Sequence, residues 1–183
     1  MILTIGHSVR PLDEFIALLR THGVTGLADV RTVPRSRRHP HFSREALEVS
    51  LPAVGIEYRH FAALGGLRKP RRDSPNGAWR HESFRGYADH MQTAAFVAAI
   101  DDLLAFAESG KVVAVMCAEA KWWQCHRQLV ADALVARGVE VRHIMSPREA
   151  PVHQLTSFAR VDGVHITYPA EPLPLEPGWT EDP

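Results

Sequence analysis

Twelve consecutive residues, Met116 to Arg127, hold both cysteines of the chain together with a carboxylate, an imidazole, a guanidinium and two indoles. Each type brings a definite chemistry. A thiol at Cys117, with arginines and a helix N-terminus nearby, can be held as a nucleophilic thiolate, or can simply be a small buried hydrophobe at the end of a strand. Glu119, read as lying near a helix N-terminus, would stay ionised and serve as general base or hydrogen-bond acceptor, or would cap the helix or pair with Arg127. Trp122 and Trp123 offer faces on which a nucleobase stacks. On a helix, Trp123 and Arg127 share a face, which would lay the guanidinium over the indole. Cys125 and His126 are adjacent and on a helix would point about 100° apart. A metal would therefore need Cys117, Cys125 and a distant histidine such as His7 or His60, and no residue is assigned as a metal ligand from the sequence.

Other reactive residues follow other apolar runs. His7 and Ser8 follow Ile2 to Ile5 and read as an acid–base pair, an anion-binding turn, or a cap for the next helix. Asp29 and Arg31 follow Gly26 to Val30, with Ser36 and Arg37 behind them. His60 ends a third run and leads to Gly65 and Gly66. The opposite ends of these runs are bland: Thr25-Gly26, Gly55, Gly110-Lys111 and Gly138-Val139. Ligands in open α/β sheets sit beyond the carboxyl ends of the strands, so this polarity marks a functional edge.

The elements needed to hold such an edge are legible. Pro11, Asp13 and Glu14 open a helix whose Leu12, Phe15, Ile16 and Leu19 share a face, and Gly23 stops it. Ser43 is the N-cap expected for a helix through Leu51. Ile56 to His60 is a third strand, and residues 64 to 83 form a long loop without periodicity. A short helix around Phe84 to Met91 precedes a stronger one from Thr93 to Ser109, closed by Gly110. Lys111 to Met116 is a buried strand, the helix with Leu129, Val130, Ala133 and Leu134 closes at Gly138, and a strand lies near Val139 to Ile144. The alternation predicts an α/β fold: a single domain with a mostly parallel sheet of about five strands and helices on both faces, covering residues 1–168. A further strand is expected at Val164 to Tyr168. Residues 169–183 carry five prolines and read as an acidic extended tail.

Together these residues also form a resemblance. Thr4-Ile5-Gly6-His7-Ser8, Asp29-Val30-Arg31 with Pro34 and Ser36-Arg37, Leu64-Gly65-Gly66, Phe84-Arg85-Gly86-Tyr87-Ala88-Asp89, Cys117-Ala118-Glu119-Ala120 and Cys125-His126-Arg127 resemble the signature of the DUF488 family over roughly residues 2 to 146. The resemblance implies the architecture and the choice of residues, and brings no reaction with it.

Composition narrows the function further. The 183 residues balance 21 basic against 21 acidic side chains, and 45% are apolar. No apolar run approaches the ~20 residues of a membrane span, and the N-terminus reads as a strand where a signal peptide would show a basic region. A cytoplasmic protein with free thiols is expected. The charge is uneven, because residues 31–85 hold twelve Arg/Lys and five Asp/Glu. Eighteen of the 21 basic residues are arginine, which suits bidentate recognition of phosphate or carboxylate. Arg31, Arg35, Arg37 and Arg38, with Arg68, Lys69, Arg71 and Arg72, form either the rim of an anion site or a solvated run. The leading expectation is an enzyme acting on a phosphate-bearing ligand, a nucleotide or nucleic acid. Arg31, Arg37 and Arg127 would hold the anion, Glu119 with His7 or His60 would move protons, and Cys117 would shape the site or attack. The alternatives are a non-catalytic nucleic-acid-binding module and a metal-dependent Cys/His site. The lack of a glycine-rich cradle after Cys117, and a carboxylate where an oxyanion would sit, argue against phosphatase-like or rhodanese-like chemistry. Cofactor, substrate and oligomeric state are not specified by the sequence.

Overall fold

The central strands form where apolar residues dominate, the edge strands carry polar and charged residues, and all five that make the sheet are parallel. In the computed structural model, which describes residues 1–35, 38–108 and 110–170, these are β1 (Ile2–Gly6), β2 (Gly26–Asp29), β3 (Glu57–His60), β4 (Val113–Cys117) and β5 (Val141–His143). They pair in the order β3-β2-β4-β1-β5. β1 and β4 are buried along their whole length, as central strands covered on both faces must be.

Alternation along each strand separates two cores. Ile2, Ala28, Val113 and Val115 point to one face, where they meet Ile100 and Leu103 of α4 (Ala94–Glu108), Tyr87 of α3 (Glu82–His90), and Leu129 and Leu134 of α5 (Arg127–Val135). Leu3, Leu27, Ala114 and Met116 point to the other face. There they pack on Phe15 and Leu19 of α1 (Leu12–Thr21) and Leu47 of α2 (Arg44–Ser50). The Ser43 hydroxyl accepts from the Ala46 N–H and caps α2 as its sequence position implies.

Two features differ from the sequence reading. The expected strand at Val164 to Tyr168 is one arm of an antiparallel hairpin, β6 (Arg160–Asp162) and β7 (His165–Thr167), turning at Gly163 with φ +58°. This hairpin stands outside the main sheet, and Tyr168 just beyond it donates to Asp132 of α5 at 2.7 Å. The helix expected to run back through the tryptophans begins only at Arg127. Trp122–Gln124 is a single 3-10 turn, and Cys125 is extended at φ −138°, ψ 151°. Most of the proline-rich tail, residues 171–183, lies outside the described residues. Among the described residues no helix is long and apolar enough to cross a membrane.

The long loop before α3 is tied down from within. Buried Asp89 accepts from the Arg71 backbone N–H at 2.8 Å, the Ser74 hydroxyl at 2.5 Å and the Asn76 amide at 2.8 Å. One carboxylate thus fixes a stretch that has no regular structure of its own.

Candidate active site

The chain leaves adjacent strands β1 and β4 in opposite directions, to α1 on one face and α5 on the other. That divergence is a topological switch point, where an open parallel sheet leaves a crevice at its carboxyl edge. A cleft of about 360 Å³ lies there, within the size range of small-molecule sites. It draws His7 from the end of β1, Arg31 to Val33 and Arg35 from the loop after β2, Cys117 to Glu119 from β4, and Gln124 to His126 from the segment before α5. Gly66, Leu67, Ser83, Phe84 and Tyr87 complete the lining.

The basic side of the cleft is built on Asp29, which is fully buried. Its carboxylate accepts from Arg31 Nε at 2.9 and 3.1 Å, from Arg31 Nη2 at 2.5 Å and from the Tyr58 hydroxyl at 2.8 Å. Burial works against the Arg31 charge, but the Asp29 carboxylate more than offsets it and holds the guanidinium more firmly protonated than usual. The remaining nitrogen, Nη1, lies 3.4 Å from His7 Nε2. His7 Nδ1 is 2.9 Å from the Ser8 carbonyl oxygen, which only accepts, so that nitrogen carries the proton and Nε2 offers a lone pair. Burial, then the Arg31 charge, push the His7 pKa from 6.5 to about 4. Stacking on Phe42 at 4.3 Å fixes the ring.

The reactive side is a cluster of two thiols, an imidazole and a carboxylate. Cys117 and Cys125 are free and buried, with their sulfurs 2.6 Å apart. Cys117 Sγ lies 3.2 Å from Glu119 Oε2, and Cys125 Sγ lies 3.5 Å from His126 Nδ1. His126 Nε2–H donates to the Val30 carbonyl at 3.0 Å, which aims Nδ1 at the sulfur. Burial, followed by the bond to Cys125, pushes the Cys117 thiol up. Burial also opposes ionisation of Cys125, but the hydrogen bonds from Cys117 and His126 outweigh it and hold this thiol well below its usual range. His126 is raised despite burial, through its bond to Cys125. The consistent arrangement is a Cys125 thiolate that accepts from the Cys117 thiol and from the His126 ring.

Two close approaches hold this cluster at the sheet edge. A Cβ on Gly6 would stand 1.8 Å from the Glu119 carbonyl oxygen, so only glycine lets the loop after β4 fold over the end of β1. Arg127, 1% exposed, donates through Nη2 to the Glu119 and Ala120 carbonyls at 2.6 and 3.3 Å, and its Nη1 lies 3.4 Å from the Thr4 hydroxyl. Ser8 sits at φ +52° with its N–H on the Ala118 carbonyl at 2.8 Å. That N–H is therefore engaged, and the N-cap of α1 is Pro11.

The other sequence candidates have different surroundings. His60 Nε2–H donates to the Arg31 carbonyl at 2.8 Å, behind the cleft. Gly65 admits Thr32, whose Cα would lie 2.8 Å from an added Cβ, while Gly66 lines the cleft and leaves room for His126. Trp122 stacks flat on His143 with centroids 4.1 Å apart, and the end of β5 lies away from the cleft. Trp123 is 45% exposed and carries Lys121 Nζ over its ring at 5.7 Å, a place the sequence reading gave to Arg127. Glu119 is exposed in a loop, with no helix beginning at it. Ser36 and Arg37 lie outside the described residues. Cys125 and His126 are the pair that sequence reasoning undervalued. Their signal lies in Cys125-His126-Arg127, but a helix running back through Cys125 would point the two side chains apart, and α5 begins only at Arg127.

A parallel α/β sheet with a thiol-bearing cleft at its carboxyl edge defines the class. A family model described as "Domain of unknown function DUF488" matches residues 11–134, most of the chain, and the protein belongs to that family. The matched region contains Cys117, Glu119, Cys125, His126 and Arg127 and begins after His7. Comparison with curated proteins and with solved structures gives no match.

Proposed function

We propose that the protein is an enzyme acting on a phosphate-bearing ligand, a nucleotide or nucleic acid, bound in the cleft above β1, β2 and β4. The observation that carries this reading is convergence. Guanidinium groups from the β2 loop, Arg31 and Arg35, share one small cavity with the Cys117, Glu119, Cys125 and His126 cluster. An anionic group held by arginine would place the adjoining part of the ligand against thiol and carboxylate groups. Glu119, exposed at the mouth, would accept a proton, and His7, neutral near pH 7, would accept a hydrogen bond through Nε2. Val33 and Leu67 are 58% and 84% exposed and would give a base or similar apolar group a rim to rest on.

A purely electrostatic nucleic-acid module is less well supported, because many arginines of the basic stretch are already engaged. Arg71 pairs with Asp73, Arg44 with Glu48 and Arg85 with Glu82, Arg68 donates to the Gly65 and Ala63 carbonyls, and Arg59 lies over Phe61. Trp122 is spent on His143.

Calorimetric titration with nucleoside mono- and triphosphates, the parent nucleosides and short oligonucleotides tests the reading. Phosphate-dependent binding is expected, weakened about 10-fold in Arg35→Ala, a loss of one charged contact. Glu119→Gln should retain binding and lose turnover of whichever compound is converted. Nucleosides binding as well as nucleotides would overturn it. A steep salt slope that survives both substitutions would instead favour the nucleic-acid module.

A further inference from the structure

We propose that Cys117, Glu119 and Cys125 form a binding site for a soft divalent transition-metal ion of the zinc class, with a fourth coordination position open to the cleft. The inference deepens the proposed function and rests on reading this cleft as a functional centre. It turns Glu119 from proton acceptor into ligand.

Three donor atoms, one from each of these residues, lie within 4.8 Å of one another. Two thiolates and a carboxylate are a donor set that selects zinc-class ions over magnesium or calcium, which take oxygen alone. The burial is graded in the sense a reactive metal site requires. The two cysteines are buried, 1% and 3% exposed, while Glu119 is exposed at the cavity mouth. Three protein ligands with one free position is the pattern of catalytic rather than structural zinc. Seating the ion requires a modest movement. The sulfurs stand 2.6 Å apart, whereas two Zn–S bonds of about 2.3 Å at a tetrahedral angle place them roughly 3.7 Å apart.

The surroundings match what such ligands need. His126 is a positioning residue: it reaches Cys125 Sγ through Nδ1 at 3.5 Å while Nε2–H is anchored to the Val30 carbonyl. Partners of this kind orient ligands and tune their basicity. Arg127 grips the Glu119 and Ala120 carbonyls, and the bare Gly6 lets that backbone settle at the sheet edge. A helix through Cys125 would leave a metal dependent on a histidine brought from far away. Cys125 is extended, and the third ligand comes from between the two cysteines.

The test uses the full chain, purified under reducing conditions without chelator and titrated with Co(II) and then Zn(II), in the absence of any nucleotide. One cobalt per chain is expected, with a near-ultraviolet thiolate-to-cobalt charge-transfer band and visible bands of low-symmetry coordination, all abolished by zinc. Cys125→Ser should roughly halve the charge-transfer band. Glu119→Gln should keep that band while weakening affinity about 10- to 100-fold, and His126→Gln should weaken it about 10-fold, the scale of outer-shell effects. Zinc should also slow alkylation of both thiols in the unaltered protein, a readout that does not depend on any variant folding. A cobalt spectrum of the hydrated ion, thiols alkylated at the same rate with and without zinc, or a Cys117–Cys125 disulfide forming in air under excess zinc would overturn the proposal. Because no nucleotide is present, failure here leaves the phosphate-ligand reading standing. Metal binding without nucleotide binding would sink only the latter.

Discussion

Arg127 holds Glu119 by its backbone: the guanidinium donates to the Glu119 carbonyl oxygen at 2.6 Å, leaving the carboxylate facing Cys117 and solvent. A buried cation thereby shapes the loop on which the reactive groups sit without touching the cleft. Arg127→Met would strip the Glu119 and Ala120 carbonyls of a charged donor, at a cost of about 3 kcal/mol. A fall in melting temperature of roughly 10 °C is expected, together with faster alkylation of Cys117 and Cys125. An unchanged melt would show that the clamp does not form.

Gly6 and Gly66 should separate architecture from site. At Gly6 an added Cβ meets the Glu119 carbonyl group, which is backbone and cannot step aside. Gly6→Ala should therefore destabilise by about 3 kcal/mol, the upper end of overpacking costs. At Gly66 the nearest atom is His126 Nδ1 at 3.0 Å, part of a side chain that can turn. Gly66→Ala should leave stability within about 1 kcal/mol of the parent while reducing ligand binding. Equal melting curves for the two variants would contradict this division.

Asp29 and Tyr58 support Arg31 from beneath. Asp29→Asn leaves a buried guanidinium uncompensated and should cost about 3–5 kcal/mol. Tyr58→Phe removes one hydrogen bond to the carboxylate and should cost only about 1–2 kcal/mol. Denaturant midpoints give both values, and a reversed order would mean that Arg31 finds its partner elsewhere.

Acid should weaken the fold through two histidines held neutral. Burial first, then the Arg31 charge for His7 and the neighbouring His153 and Arg127 for His143, lower His7 from 6.5 to about 4 and His143 from 6.5 to about 3. His143 is also locked in a buried chain, with Thr4 at 2.8 Å, His153 at 3.0 Å, and His153 donating to Asp132 at 2.8 Å. Between those values and 6.5 the unfolded chain binds more protons, so stability falls as pH drops below 6.5 and the loss is complete only once pH passes the folded values. At pH 5 the loss is up to about 2 kcal/mol per histidine. Denaturant midpoints at pH 7 and pH 5 check this, and equal stability at the two would show that neither histidine is held neutral.

The sheet was readable because its signals are local. Unbroken apolar runs such as Val112 to Met116, glycine stops, and the Ser43 cap each act over a few residues. The candidate site was readable by type and polarity for the same reason: His7, Arg31, Cys117 and Glu119 all follow strands. What escaped was set by contacts between distant segments. The extended Cys125 depends on a loop folded over Gly6, more than a hundred residues earlier, and held by Arg127. Nothing in the spacing of Trp122 to Arg127 distinguishes that loop from a continuing helix. The engagement of Trp122 with His143 and of Arg127 with carbonyls is likewise invisible until β1, β4 and β5 are side by side.

On the proposed function, residues from β1, the β2 loop, β4 and the segment before α5 form one ligand site. Amide NMR spectra of the ¹⁵N-labelled protein, recorded during titration with a nucleoside triphosphate and separately with its nucleoside, test it directly. Shifts confined to His7, Thr32, Gly66, Glu119 and Gln124, and seen only with the phosphate-bearing compound, are the expected result. Shifts scattered over exposed arginines such as Arg44 and Arg71, or no shifts at all, would contradict it.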